Sequence, residues 1–178
     1  DAPAPSAEGL PNPIRPAFTS SSREHTVIVN IGPSHPATHG TIQIVAELDG
    51  EQVVRTDIHC GYLHRGFEKE CEDHTWHNLI PYVDRLNYCS SFINNVGYCR
   101  TVEQMLGIEA PPRAVWARTI LSEFSRIMDH CVCNGSTLVD LGALTNFWYF
   151  FQPREEIYGL LESVCGSRLT VSANRIGG

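Results

Sequence analysis

Gly32-Pro33-Ser34-His35-Pro36-Ala37-Thr38-His39-Gly40 separates two runs of strand-like alternation, and its reading decides the fold. Its two imidazoles stand four residues apart, a spacing that on a helix would stack them on one face. Pro36 and the closing glycine work against a helix, so the stretch reads as a loop shaped by backbone restriction. Residues 26–31 (Thr-Val-Ile-Val-Asn-Ile) lead in and residues 41–48 lead out; Asp49-Gly50 is a two-residue hairpin turn, and residues 52–58 return. The loop therefore joins two strands of a small antiparallel sheet. A hairpin turn that happens to contain histidine fits this pattern. So does a loop that holds His35 and His39 over a cavity, where a group titrating near neutral pH can pass a proton. A zinc site lacks the Cys-x-x-Cys or third histidine that would complete its ligands.

From Gly66 onward the apolar period changes from two to about 3.6. Leu86, Cys89, Phe92 or Ile93, Val96, Cys99, Val102 and Met105 or Leu106 recur at helical spacing, and Gly107 is a plausible stop. Pro111-Pro112 breaks the chain. Trp116, Ile120, Leu121, Phe124, Ile127, Met128 and Cys131 then line one face of a second long helix. Asp140-Leu141-Gly142-Ala143 marks another break, and residues 154–165 read as a third, shorter helix beginning near Pro153. A small sheet followed by packed helices is an α+β arrangement. We divide the chain into an extended arm (1–24), an antiparallel β hairpin region with the histidine loop (25–60) and a helical bundle (61–178). The Pro-, Ala- and Ser-rich arm fits a processed targeting sequence, a strap over a neighbouring subunit or a disordered tail. The end at Arg175-Ile176-Gly177-Gly178 reads as a point from which a longer protein continues.

Composition narrows the function. The 178 residues suit one domain with a sizeable core. A net charge of −7 weighs against sequence-independent nucleic-acid binding. No apolar run approaches the ~20 residues of a membrane helix, so work at a membrane would go through partners. The seven cysteines form no Cys-x-x-Cys pair. That pattern favours buried, reduced thiols over a disulfide framework, a metal site or an iron–sulfur cluster carried by this chain alone.

Six stretches, in order and spacing, resemble one family: residues 32–40; His59-Cys60-Gly61-Tyr62-Leu63-His64-Arg65-Gly66-Phe67-Glu68-Lys69; Pro81-Tyr82-Val83-Asp84-Arg85-Leu86-Asn87-Tyr88; Pro111-Pro112-Arg113-Ala114; Leu138-Val139-Asp140-Leu141-Gly142-Ala143-Leu144-Thr145; and Arg175-Ile176-Gly177-Gly178. Together they resemble the N-terminal part of the forty-nine-kilodalton subunit family of respiratory complex I, the proton-translocating NADH:quinone oxidoreductase. The resemblance implies a fold related to the nickel–iron hydrogenase large subunit. It also implies a quinone-reduction chamber shared with a small subunit that carries the terminal iron–sulfur cluster. A thirty-kilodalton-type subunit and, through partners, a membrane arm would complete the surroundings. Ubiquinone would be the substrate, and this chain would hold no metal.

Residue by residue, the resemblance gives His39 one quinone carbonyl, Tyr88 the other, and Asp140 the acid that pairs with the histidine. Arg65 and Arg85 match arginines that face the neighbouring cluster, and His35 is a loop-shaping or secondary polar group beside the cofactor. Reducing a quinone takes two electrons and two protons, so acids are needed near both oxygens. A tyrosine O–H can donate to a carbonyl and then to the developing oxyanion. A carboxylate on one ring nitrogen fixes the imidazole tautomer and favours its protonated form. Cationic arginines raise the potential of a reduced cluster. Taken singly, each residue also has a structural reading: Asp140 as a cap before a helix, Tyr88 as a core tyrosine, the arginines as surface ion-pair partners. His59 and His64 are given no chemistry.

Asn87 stands where the family usually has Asp, Ser34 where it has Gln, and residues 166–170 lack a histidine that the family commonly carries near Thr170. Two alternatives accompany this reading. A hydrogenase-type large subunit would need Arg-x-Cys-Gly-x-Cys near Arg85, and Arg85-Leu86-Asn87-Tyr88-Cys89-Ser90 offers a single thiol. A structural or split fragment would build the chamber without completing it. The arm's composition favours the matrix side of the mitochondrial inner membrane, with the cytoplasmic face of a bacterial membrane as the alternative.

Overall fold

Alternating Val and Ile before the histidine loop, and Ile, Val, Ala and Leu after it, form strands β1 (Val27–Ile31) and β2 (Gln43–Asp49), and β3 (Gln52–His59) returns beside β2. The computed structural model describes residues 18, 21–22, 24–38 and 40–178. Most of the arm, and His39, therefore lie outside the described residues. Within them the chain forms two compact units, divided in sequence between Arg65 and Gly66.

In the first unit the strands pair antiparallel in the order β1-β2-β3, with Val29 opposite Ala46 and Ile44 opposite Ile58. The β2–β3 turn falls one residue later than Asp49-Gly50: Asp49 pairs with Gln52, leaving Gly50-Glu51 as the loop. Gly50 takes the first loop position at φ 61°, where a primed hairpin turn needs a positive angle that glycine adopts without strain. Near that turn the register slips, because Arg55 pairs with Glu47 while Val53 pairs with Leu48. The extra residue, Val54, is a bulge. Between β1 and β2, Gly32 stands at φ 83°, and a Cβ there would come 2.0 Å from the Ile42 carbonyl oxygen. No other residue fits that position. The loop then closes through a short 3₁₀ turn at Pro36–Thr38.

The helical unit starts at Gly66, where the apolar period changes. It comprises α1 (Phe67–Asp73), α2 (Ile80–Asp84), α3 (Ser91–Leu106), α4 (Pro112–Asp140) and α5 (Leu144–Cys165). Gly107 ends α3 in the left-handed conformation, as its place in the sequence suggests. Three expectations are corrected. First, α5 begins at Leu144, well before Pro153, and runs through it. One missing N–H is outweighed by packing of the aromatic run against α4, where Gly135 lies against Phe147 and Phe150. Second, the buried stripe of α4 is Arg118, Ser125, Met128, Cys131 and Gly135, while Trp116, Ile120 and Ile127 are exposed. Met128 and Cys131 of the expected face are buried, but Arg118, Ser125 and Gly135 complete the contact face, and apolar spacing alone does not show them. Third, only Cys99 and Cys131 are buried; Cys60 and Cys133 are exposed, and all seven thiols are free.

Phe92 of α3, Met128 of α4, Tyr158 and Leu161 of α5 and Val171 form the core of this unit. Val171 belongs to the segment after α5, which lies along α3 and α4. Its backbone is held by inward-turned polar side chains. The Arg118 guanidinium bonds Glu103 (2.9 Å for one arm), Asn174 Oδ1 (2.6 Å) and the Arg175 carbonyl (2.9 Å). Glu103 in turn accepts the Gly177 N–H at 2.8 Å. The guanidinium lowers the Glu103 pKa, and Glu103 raises that of Arg118.

Candidate functional site

Tyr88 lies in a turn between α2 and α3, residues 85–90, not on a helix as its spacing suggests. The physical reason is local hydrogen bonding. The Asn87 amide donates to Ser90 Oγ at 2.5 Å, the Ser90 N–H reaches the Asn87 carbonyl at 3.3 Å, and Ser90 Oγ donates to Asp129 of α4 at 3.4 Å. Side-chain bonds of this kind draw Asn and Ser out of helix and into turns. Tyr88 itself is 54% exposed, so it is not a core tyrosine.

Beneath the turn, burial and then the nearby Asp129 carboxylate push the Cys89 thiol up. Arg85, at the foot of the turn, is exposed and donates to the Pro81 carbonyl at 2.6 Å. That bond aims its guanidinium along the rim of α2.

Asp84 precedes Arg85 and is fully buried. Its carboxylate accepts hydrogen bonds from the Asn95 amide and the Ser172 hydroxyl. Burial raises its pKa, against the lowering effect of those two bonds. Asp84 falls inside one of the six motifs, but the motif assigns it no role. The signal that could have found it is Asn95, a polar residue between Phe92 and Cys99 on the apolar stripe of α3, which needs a buried partner.

Asp140 is the last residue of α4 and is exposed. It does not cap the next helix, whose N-cap is Ala143. The end of α4 is closed instead by the backbone: Ala143 N–H reaches the Leu138 carbonyl (2.8 Å) and Gly142 N–H that of Val139 (2.9 Å), with Gly142 at φ 88°. These bonds form a Schellman motif. A carboxylate in the last turn of a helix opposes the helix dipole, so helix stability does not account for an acid here. Asp140 lies eleven residues beyond Asp129, where the Tyr88 turn touches α4, or roughly 16 Å along the axis. The structure does not bring Tyr88 and Asp140 into contact.

In the sheet unit, His35 is exposed, and its Nδ1 accepts the Ala37 N–H at 3.2 Å while its carbonyl accepts that of Thr38 at 3.1 Å. This closes the 3₁₀ turn and fixes Nδ1 as the unprotonated nitrogen. Arg65 is exposed at the end of this unit. His39, the candidate proton donor of the loop, lies outside the described residues.

β2 also carries a feature that alternation gave no hint of. Glu47 is fully buried and accepts bonds from Thr26 Oγ1 (2.5 Å), Ser22 Oγ (2.8 Å), Ser22 N–H (2.5 Å) and Arg55 Nε (2.5 Å). These donors, the Thr26 hydroxyl foremost, bring its pKa from 4.5 to about 2. Arg55, the residue aligned with it by the bulge, also stacks on Phe18, 3.8 Å from the ring centre. On β3, His59 Nε2 stands 2.9 Å from Asp57, a pair that no sequence pattern singles out.

The family model described as respiratory-chain NADH dehydrogenase, 49 Kd subunit, matches residues 140–178. The D subunit of NADH-quinone oxidoreductase from Pelobacter propionicus is 52% identical over 167 residues, 94% of this chain and 41% of the relative. The C/D subunit of the Bdellovibrio bacteriovorus enzyme is 57% identical over 150 residues, 84% of this chain and 27% of the relative. One D subunit of the Sorangium cellulosum enzyme is 51% identical over 152 residues, 85% of this chain and 38% of the relative. The chain thus spans about two fifths, or less, of the length of these relatives. The motifs that carried the resemblance and this similarity over nearly the whole chain lead to one family: the chain belongs to the 49 kDa, or D-subunit, family of the NADH-quinone oxidoreductases.

Proposed function

We propose that this chain forms part of the quinone-reduction chamber of an NADH:quinone oxidoreductase. In this reading it receives electrons from an iron–sulfur cluster held by a small neighbouring subunit and hands protons to the quinone. The observation that carries the proposal is the exposed Tyr88 phenol on a turn tied to α4 through Asn87, Ser90 and Asp129. A phenol held this way offers its O–H to a quinone carbonyl and then to the negative charge that develops there, with no reorientation during reaction.

His39 and Asp140 keep the roles that the resemblance gives them, as the acid at the other carbonyl and its carboxylate partner. Arg85, directed by the Pro81 carbonyl, and Arg65 supply positive charge toward the partner's cluster, and His35 shapes the loop that carries His39. The name of the C/D relative joins D to a second subunit, and we take a C-type subunit as a neighbour. These relatives are bacterial, and we place the chain at the cytoplasmic face of a bacterial membrane, not on the matrix side that the arm's composition favours. No helix among the described residues is long and apolar enough to cross a membrane, so attachment goes through partners.

Replacement of His39 tests the proposal in the assembled enzyme. His39→Ala lowers NADH:quinone turnover by about a hundredfold, the weight of one proton donor, and leaves electron transfer from NADH to artificial upstream acceptors intact. Equal loss of both activities contradicts the role.

A further inference from the structure

We propose that residues 169–172 staple the two feet of the Tyr88 turn, and that Asp84, Ser91 and Ser172 are positioning residues for Tyr88. At the front foot, the last residue of α2, Asp84, accepts the Ser172 hydroxyl. At the rear foot, the first residue of α3, Ser91, donates to the Leu169 carbonyl at 2.9 Å and accepts the Val171 N–H at 3.2 Å. One hydroxyl can do both, since it carries one proton and two lone pairs. Between these points Val171 is buried in the core beside Phe92, and the Asn95 amide bonds both Asp84 and the Val171 carbonyl, the latter at 3.2 Å.

The turn needs such a support because its own ladder is thin. Arg85 N–H to the Tyr82 carbonyl and Leu86 N–H to the Val83 carbonyl are both 3.2 Å, and Ser90 N–H to the Asn87 carbonyl is 3.3 Å. Each joins residues three apart, and none ties the turn to the rest of the unit. Three polar side chains at buried positions, Asp84, Ser91 and Asn95, carry a desolvation cost that an apolar core would avoid. Ser91 and Asn95 bond the backbone of residues 169–171, Asp84 accepts the Ser172 hydroxyl, and Asn95 also donates to Asp84. The segment that follows α5 therefore fixes where the phenol points.

The staple stands on these hydrogen bonds alone; its bearing on quinone reduction rests on the reading of Tyr88 given above. The test is amide hydrogen exchange in the assembled enzyme, with the full-length subunit. Ser172→Ala speeds exchange at residues 86–90 about fivefold to tenfold, the factor that loss of one hydrogen bond brings, and leaves residues 141–143 unchanged. Ser172→Thr, which keeps the hydroxyl, restores the original rates. If Ser172→Ala does not assemble, Ser91→Ala releases the rear foot alone and gives the same local rise. Unchanged exchange at 86–90, or a rise spread evenly over the helical unit, overturns the staple. The same variants raise KM for a short-chain quinone while electron transfer to artificial acceptors stays the same. Local loosening with KM unmoved upholds the staple and counts against the reading of Tyr88.

Discussion

Glu47 in the sheet unit and Asp84 in the helical unit are both shut off from solvent, and their surroundings push them in opposite directions. Glu47 has two hydroxyls, a backbone N–H and a guanidinium around it, enough to overcome the cost of burying its charge. Asp84 has one amide and one hydroxyl, both neutral, and burial wins. Glu103 sits on the Glu47 side of this divide, because Arg118 meets it with two arms of its guanidinium. A buried carboxylate is held charged by the number and charge of its donors, not by burial as such. The sheet unit uses its buried acid to tie the segment before β1, and Arg55 of β3, to the middle strand, and the helical unit uses Asp84 to hold the foot of a turn.

The comparison can be broken most forcefully at Glu103. Arg118→Ala leaves that carboxylate buried without its cation and costs the helical unit about 3–5 kcal/mol, read by urea unfolding. Replacing both members with apolar residues recovers much of the loss. A cost below about 1 kcal/mol for the single change, the range of an exposed pair, would remove Glu103 from the charged class.

Glu47 comes next. Its folded pKa lies below the unfolded value, so its contribution is present above 4.5 and is lost as pH falls toward about 2. Glu47→Gln flattens the acid dependence of unfolding in that window. An unchanged acid profile would mean that another group governs the sheet's response to acid.

The smallest effect belongs to Asp84 and has the opposite sign. Its folded pKa is raised above 3.8, so its contribution is present below that value and is lost as pH rises through the folded value. The stability difference between Asp84→Asn and the parent chain therefore shifts in the parent's favour as the solution is acidified. A shift the other way would place Asp84 beside Glu47.

The sequence was legible where a pattern repeats. Alternation located the three strands, glycine at 107 located the end of α3, and six motifs in register identified the family. It was misleading where one contact outweighs the pattern. Pro153 suggests a helix start, yet aromatic packing against Gly135 carries α5 through it. Tyr88 falls at helical spacing, but Asn87 and Ser90 pull the backbone into a turn. The apolar spacing of α4 finds Met128 and Cys131 on the buried face, but it also picks out the exposed Trp116, Ile120 and Ile127 and misses Arg118, Ser125 and Gly135. Buried polar groups were the least visible: Glu47 and Asp84 are ordinary acids until the donors from distant positions, Ser22, Thr26 and Ser172, are folded against them. For the candidate site, the residue types were readable from motifs, but the bracing of Tyr88 was not, because it depends on a segment far along the chain, with Leu169 held by Ser91 and Ser172 by Asp84.

The central claim is that the Tyr88 phenol donates to a quinone oxygen, and Tyr88→Phe in the assembled enzyme tests it most directly. The change removes one hydroxyl from an exposed ring and leaves packing intact. kcat/KM for a short-chain quinone falls by about tenfold to a hundredfold, while NADH oxidation with an artificial upstream acceptor is unaltered. Unchanged quinone kinetics in a fully assembled Tyr88→Phe enzyme would contradict the account.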